Sequence, residues 1–161
     1  MQVREAKHTD TRVIADLYQA LNGEHSAILP QIFSKVGRES IEWHVFSIFG
    51  NANSVILVAE DEEIVGFAHV TFEQVRNNPM FVDRSYAWVH NLFVREDKRR
   101  QGVGRALMEG AERWGSARGA SSMELTVWEA NEDALRFYES LGFGTLNRHL
   151  IKQQDRGAKQ H

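Results

Sequence analysis

The 161-residue sequence predicts one α/β domain on a mixed sheet, with elements in the order β-α-α-β-β-β-α-β-α-β. Three observations carry that prediction. The apolar stretches "SVILVAE" and "IVGFAHVTFEQ" flank an acidic "DEE" and read as a hairpin. "SYAWVHNLFV" then leads through a glycine-containing turn into an amphipathic stripe at Val103, Ala106, Leu107, Gly110, Ala111 and Trp114. "SMELTVW" alternates again after that stripe, which makes a β-α-β crossover. Antiparallel pairing first and a crossover later define the class.

Each element has its own signal. "MQVREAK" forms a short first strand. Val13, Ile14, Leu17, Tyr18 and Leu21 recur at helical spacing behind Thr9 or Asp10 as N-cap. The apolar residues between Gln31 and Phe49 are less regular and predict one or two helices. "SVILVAE" is a continuous apolar run of strand length, which suits a central strand. Alternation in "SYAWVHNLFV" assigns Trp88, His90, Leu92 and Val94 to one face, and Val89, Asn91 and Phe93 to the other. Gly119 is placed to end the following helix. Asn131 caps the last helix, with Glu132 and Asp133 in its first turn, and Gly142 ends it. "FGTLNRHLIK" predicts one or two closing strands. The domain is expected over residues 1–152, with "QQDRGAKQH" (153–161) as a mobile polar tail.

Composition narrows the function. Apolar and charged fractions of 42% and 25% are those of an ordinary soluble domain. A net charge of -3 argues against a broad nucleic-acid-binding face. The chain has no cysteine, which removes disulfides, thiolate metal sites and covalent cysteine catalysis together. No stretch resembles a signal peptide or is long enough to span a membrane, so the expected location is cytoplasmic. His25, His44, His69 and His90 show no metal-ligand spacing, and no metal is expected.

The segment "RRQGVGRAL" (Arg99 to Leu107) follows a strand and opens a helix. Glycines let the backbone turn sharply, and the first amides of a helix lack internal partners and carry the positive end of its dipole. Lys98, Arg99, Arg100 and Arg105 add charge. A diphosphate suits that place, and so does a tight turn whose basic residues are merely solvated. A Walker P-loop lacks its G-K-[ST] here, and a dinucleotide fingerprint would need glycine where Leu107 stands.

The pattern Arg-x-x-Gly-x-Gly at Arg99 to Gly104, behind "LFV" and before a long amphipathic helix, resembles motif A of the GNAT N-acetyltransferase superfamily. "NEDALRFYESLGF", Asn131 to Phe143, resembles that family's N-x-x-A-x-x-F-Y-x-x-x-G-F segment, again with one strand between the two. Both lie in the C-terminal half; the N-terminal half matches in element order alone. The resemblance implies a GNAT-like fold and acetyl-CoA as co-substrate. It puts the pyrophosphate on the amides of Gln101, Gly102, Val103, Gly104, Arg105 and Ala106, among Arg99 and Arg100. The pantetheine arm would follow Leu92, Phe93 and Val94. Asn131 matches a CoA-contacting asparagine, and Phe137 and Tyr138 match the aromatic pair beside the thioester.

Acetyl transfer needs a neutral amine, donors for the developing oxyanion and a proton for the leaving thiolate. An alkylamine has a reference pKa of about 10.4, so a base or a water path must take its proton. With no cysteine, direct attack in a ternary complex is expected. Tyr138 is the candidate acid; helical spacing alone would make it a packed core aromatic, and the motif match implies the acid. His90 is the candidate base, with a structural histidine bonded across the sheet as the other reading. Asn91 is expected to be structural, and Arg136 a solvated helix residue.

The acceptor is expected around Asn22 to Phe49, where Glu24, His25, Glu39, Glu42 and Trp43 suit a cationic amine or form an ordinary solvated surface. Trp43, Trp88 and Trp128 line that cleft or belong to the core. The long connection "EQVRNNPMFVDRS" overhangs the acceptor site or joins a homodimer interface. A small amine is the favoured acceptor, with a protein amine and a non-catalytic acetyl-CoA-binding module as the alternatives.

Overall fold

A computed structural model describes residues 1–154. Of the expected tail, residues 155–161 lie outside the described residues. The order is β1 (Gln2–Glu5), α1 (Thr11–Ile28), α2 (Arg38–Ile48), β2 (Ser54–Asp61), β3 (Glu63–Val75), β4 (Arg84–Val94), α3 (Val103–Ser116), β5 (Ser122–Leu125) and α4 (Glu132–Ser140). The strands form one sheet in sequence order; β1 to β4 pair antiparallel, and β4 pairs β5 parallel across the α3 crossover. Among the described residues, no helix is long and apolar enough to cross a membrane.

Two apolar clusters sandwich the sheet. On one face Ile14, Leu17, Tyr18 and Leu21 of α1 and Ile41, Val45 and Ile48 of α2 meet Ile56, Val58, Phe67 and Phe93. On the other, Val103, Leu107, Met108, Ala111 and Trp114 of α3 meet Val55, Leu57, Val70, Ala87 and Val89. β2 feeds both clusters, which is why it reads as a continuous apolar run rather than an alternation. Close packing on the α3 side depends on Gly115, where a Cβ would stand 2.7 Å from the Ala87 Cβ.

Several expectations are corrected. The β2–β3 turn is tighter than "DEE" suggested: Asp61 already pairs with Glu63, and Glu62 alone turns the chain at φ 64°. β3 and β4 extend into the connection between them and leave 76–83 as the loop. β5 stops at Leu125, so "TVW" is not strand. The closing strand is absent among the described residues after Gly142. Leu146, Leu150 and Ile151 are exposed, and their spacing puts Ile151 on the opposite face from the other two. A strand there would bury no single face, and the two sheet edges among the described residues, β1 and β5, are each four residues long.

The main correction concerns β4. Register shifts between His69 and Val70 of β3: His69 pairs with Asn91 and Val70 with Val89, leaving His90 as the extra residue of a bulge. The bulge exchanges the faces beyond it. Leu92 and Val94 lie with Val89 on the α3 side. Phe93 packs with α1 and α2. Asn91 turns to that same side, where Tyr18 reaches it, rather than standing opposite His90. Strict alternation fails because one inserted residue reverses every face after it.

Candidate active site

β4 and β5 are paired from Tyr86–Ser122 to Val89–Leu125 and then part. The Arg95 N–H donates to the Val65 carbonyl of β3 at 2.9 Å. Alternation along an antiparallel strand therefore turns the amides of Val94 and Leu92 away from β3, toward the gap beyond Leu125. The Val94 carbonyl on that side accepts from Arg99 Nε at 2.8 Å. An extended, amide-containing chain fits such a gap as another strand would.

The turn at the end of β4 opens beside this gap. Arg100 and Gly102 adopt left-handed φ values of 62° and 82°. Gly102 is the N-cap of α3, and its carbonyl accepts from the Ala106 N–H at 3.0 Å. The N–H groups of Val103, Gly104 and Arg105 precede that bond and have no partner inside the helix. A Cβ on Gly102 would meet nothing within 4 Å, so the turn is open at that point. Gly104 serves packing: its Cβ would lie 3.1 Å from the Phe137 ring. Phe137 and the α3 N-terminus are thereby brought together.

The basic residues divide. Arg100 and Arg105 are exposed and, among the described residues, form no ion pair. Arg99 pairs with Glu24 of α1 at 2.5 Å while Nε bonds Val94, so its guanidinium ties α1 to the turn. Gln101 Nε2 donates to the Asp97 carbonyl at 3.1 Å, which fixes the entry to the turn. Asn131 Oδ1 accepts from the Ala134 N–H at 3.2 Å as the α4 N-cap, leaving its amide nitrogen for a ligand.

Tyr138 sits on α4, on the α3 side, with ring centroids 5.2 Å from Phe137 and 5.7 Å from Phe143. Desolvation pushes its pKa up to about 12, so it holds its proton at neutral pH. His90 lies on the opposite side of the sheet. Acid and base candidates are therefore not in contact; they flank β4 from its two faces.

Around His90 the structure assembles groups that sequence spacing does not connect. Its ring stacks on His69 with centroids 4.6 Å apart. His90 Nε2 is 2.8 Å from Thr71 Oγ1, and that hydroxyl donates to Glu73 Oε1 at 2.7 Å. Desolvation is the main influence lowering the His90 pKa, with Glu73 opposing it and His44 adding to it. His69 is buried, Tyr18 OH lies 3.4 Å from its Nδ1 and Ser54 Oγ 3.0 Å from its Nε2. Burial, then the neighbouring His90 and His44, push its pKa down to about 3. Tyr18 OH donates to Asn91 Oδ1 at 2.7 Å. His44, His69 and His90 thus form a row of imidazoles, with successive ring centroids 6.5 and 4.6 Å apart, and among the described residues no group has the arrangement of a metal site. One signal for this cluster was available: His69, Thr71 and Glu73 fall on one strand face by period two.

A cavity of about 210 Å³ lies on the same side, lined by Tyr18, Asn22, Val36, Ser40, Ile41 and His44. None of these carries a carboxylate. Of the acidic residues expected there, Glu24 pairs with Arg99 and Glu42 with Arg38, while Glu39 is exposed and forms no ion pair among the described residues. Trp43 is on the outer side of α2, 72% exposed, and so lines no cleft. Trp128 meets Phe33 edge-on at 5.3 Å, joining the connection before α2 to the one before α4.

Comparison with known proteins identifies the lineage. The family model described as "Acetyltransferase (GNAT) family" matches residues 14–143. The chain belongs to the GNAT family. Its fold matches the BH1408 protein of Bacillus halodurans, solved as a tetramutant, with TM-score 0.91 and 26% identity over 96% of this chain and 100% of that one. An aminoglycoside N-acetyltransferase solved in complex with CoA shares the fold at TM-score 0.77 and 18% identity, over 96% of this chain and 94% of that one. The ribosomal protein bS18-alanine N-acetyltransferase of Escherichia coli is 38% identical over 71 residues, 43% of this chain and 48% of that protein. The matched stretch thus spans about half of that relative's length.

Proposed function

We propose that this GNAT chain is an N-acetyltransferase passing an acetyl group from acetyl-CoA directly to a primary amine in a ternary complex. The observation that carries this reading is the gap beyond Leu125, lined by the free amides of Leu92 and Val94 and continuous with the open N-terminus of α3. When bound there, acetyl-CoA supplies an activated acetyl thioester. Val103, Gly104 and Arg105 donate their amides to its diphosphate, with Arg100 and Arg105 adding charge. The amides of Leu92 and Val94 hold the pantetheine arm and the acetyl oxygen, where donors stabilise developing negative charge. His90 takes the proton of the attacking amine as the N–C bond forms, and Tyr138 gives a proton to the sulfur as the C–S bond breaks.

A small amine is the favoured acceptor. A cavity of about 210 Å³ suits a group of side-chain size, and its lining supports an uncharged body rather than a polycation. An exposed protein N-terminus is the second reading, supported by the open side of that cavity and by the bS18-alanine relative. A homodimer through the β3–β4 connection is supported by Met80, Phe81 and Val82 at its tip, all more than 60% exposed.

Thermal unfolding with acetyl-CoA, NAD and ATP tests the cofactor. At a hundredfold or greater excess over Kd, acetyl-CoA stabilises the native state by roughly 2.7–4 kcal/mol, and the others leave Tm in place. An unmoved Tm with acetyl-CoA would overturn the reading.

A further inference from the structure

The hydrogen-bond chain behind His90 has a direction. A carboxylate oxygen only accepts, and a threonine hydroxyl has one hydrogen. The Thr71 hydrogen is spent on Glu73, 2.7 Å away. At 2.8 Å the same oxygen then accepts, and the only hydrogen on that line is one on His90 Nε2. A neutral imidazole protonated at Nε2 carries its free lone pair on Nδ1.

The geometry points to Thr71 and Glu73 as positioning residues that fix His90 in the Nε2–H tautomer and leave Nδ1 to receive the acceptor's proton. This rests on His90 being the base. Glu73 acts through Thr71 without touching substrate, and its negative charge favours the imidazolium formed when the proton arrives. His69 is stacked on His90 within hydrogen-bond reach of Tyr18 and Ser54, and its burial, with the neighbouring His90 and His44, keeps it neutral. The groups facing His90 are therefore His69 and Glu73 from β3, His44 from α2 and Tyr18 behind His69 from α1. Glu73 is the one carboxylate among them, and among the described residues no lysine or arginine pairs with it. The β-bulge makes the chain of bonds feasible: as the extra residue between Val89 and Asn91, His90 turns toward Thr71 without breaking the flanking pairs.

The tautomer can be read without any substrate. Long-range ¹H–¹⁵N correlation spectra of histidine-labelled protein, with His90 assigned by its absence in His90→Gln, should show an Nε2–H imidazole at pH 8. An Nδ1–H pattern would overturn the proposal. Thr71→Val should mix the two tautomers and lower kcat/KM roughly tenfold at unchanged acetyl-CoA affinity. Thr71→Ser should restore both. Glu73→Gln should move the acid limb of the kcat/KM profile to lower pH, because the imidazolium loses its nearby anion. A limb that stays in place, together with an unchanged tautomer in Thr71→Val, would also overturn it. If His90→Gln retains full turnover, the base assignment fails, while the tautomer spectrum still reports on Thr71 and Glu73 by itself.

Discussion

Tyr138 and His69 show how burial gives a side chain its chemistry. A phenol whose pKa is pushed up to about 12 by burial keeps its proton at neutral pH. Tyr138→Phe keeps the ring against Phe137 and Phe143 and removes only the proton. We expect kcat to fall about a hundredfold or more while acetyl-CoA still raises Tm. Unchanged turnover would exclude Tyr138 as the acid, and absence of turnover in the wild type would favour a binding module. His69 acts on stability instead. Its pKa near 3 in the fold lies below the ordinary 6.5, so the unfolded chain binds a proton that the native one refuses. Stability from this residue is complete above pH 6.5 and is eroded as pH falls from there toward 3, by up to about 1.4 kcal/mol per pH unit. Urea unfolding at pH 7 and pH 5 should show that loss, and His69→Gln should show a smaller one.

Elements were legible where one periodicity ran unbroken. α1 and α3 carry long apolar stripes, α4 is marked by its Asn131 cap, and the turn glycines Gly102, Gly119 and Gly142 all take left-handed conformations. The motif from Arg99 to Gly104 also fell where expected, between β4 and α3. What stayed hidden depended on partners distant in sequence. The bulge at His90 exists because of the register of β3 and has no local mark. The ion pair between Arg99 and Glu24 of α1 likewise has no local mark. The closing strand looked plausible in isolation and failed for want of an edge long enough to pair with. Helix-to-sheet approach is similarly non-local. With a Cβ at Gly115 only 2.7 Å from Ala87, Gly115→Ala must push α3 off the sheet. We expect a loss of 1–3 kcal/mol, about the usual cost of overpacking, read as a lower urea midpoint.

For the whole molecule, the sheet separates two regions with different demands. Apolar surface remains at Met80, Phe81 and Val82, far out on the β3–β4 connection. If this tip joins two copies, Phe81→Asp should lower the sedimentation coefficient to that of an 18.4 kDa monomer without altering Tm in acetyl-CoA. A wild-type chain that already sediments as a monomer would remove the dimer.

The parting of β4 from β5 has a wider consequence. On the α3 side, what the proposed ligand meets is mainly peptide N–H, which every residue but proline possesses. On the α1 and α2 side, the proposed acceptor would meet Tyr18, Asn22, His44 and His90 as individual side chains. In that reading β4 presents a generic handle to one substrate, and α1, α2 and His90 present a replaceable set of contacts to the other. On that reading, point substitutions on the α1 and α2 side would change the acceptor while leaving a backbone grip on the coenzyme in place.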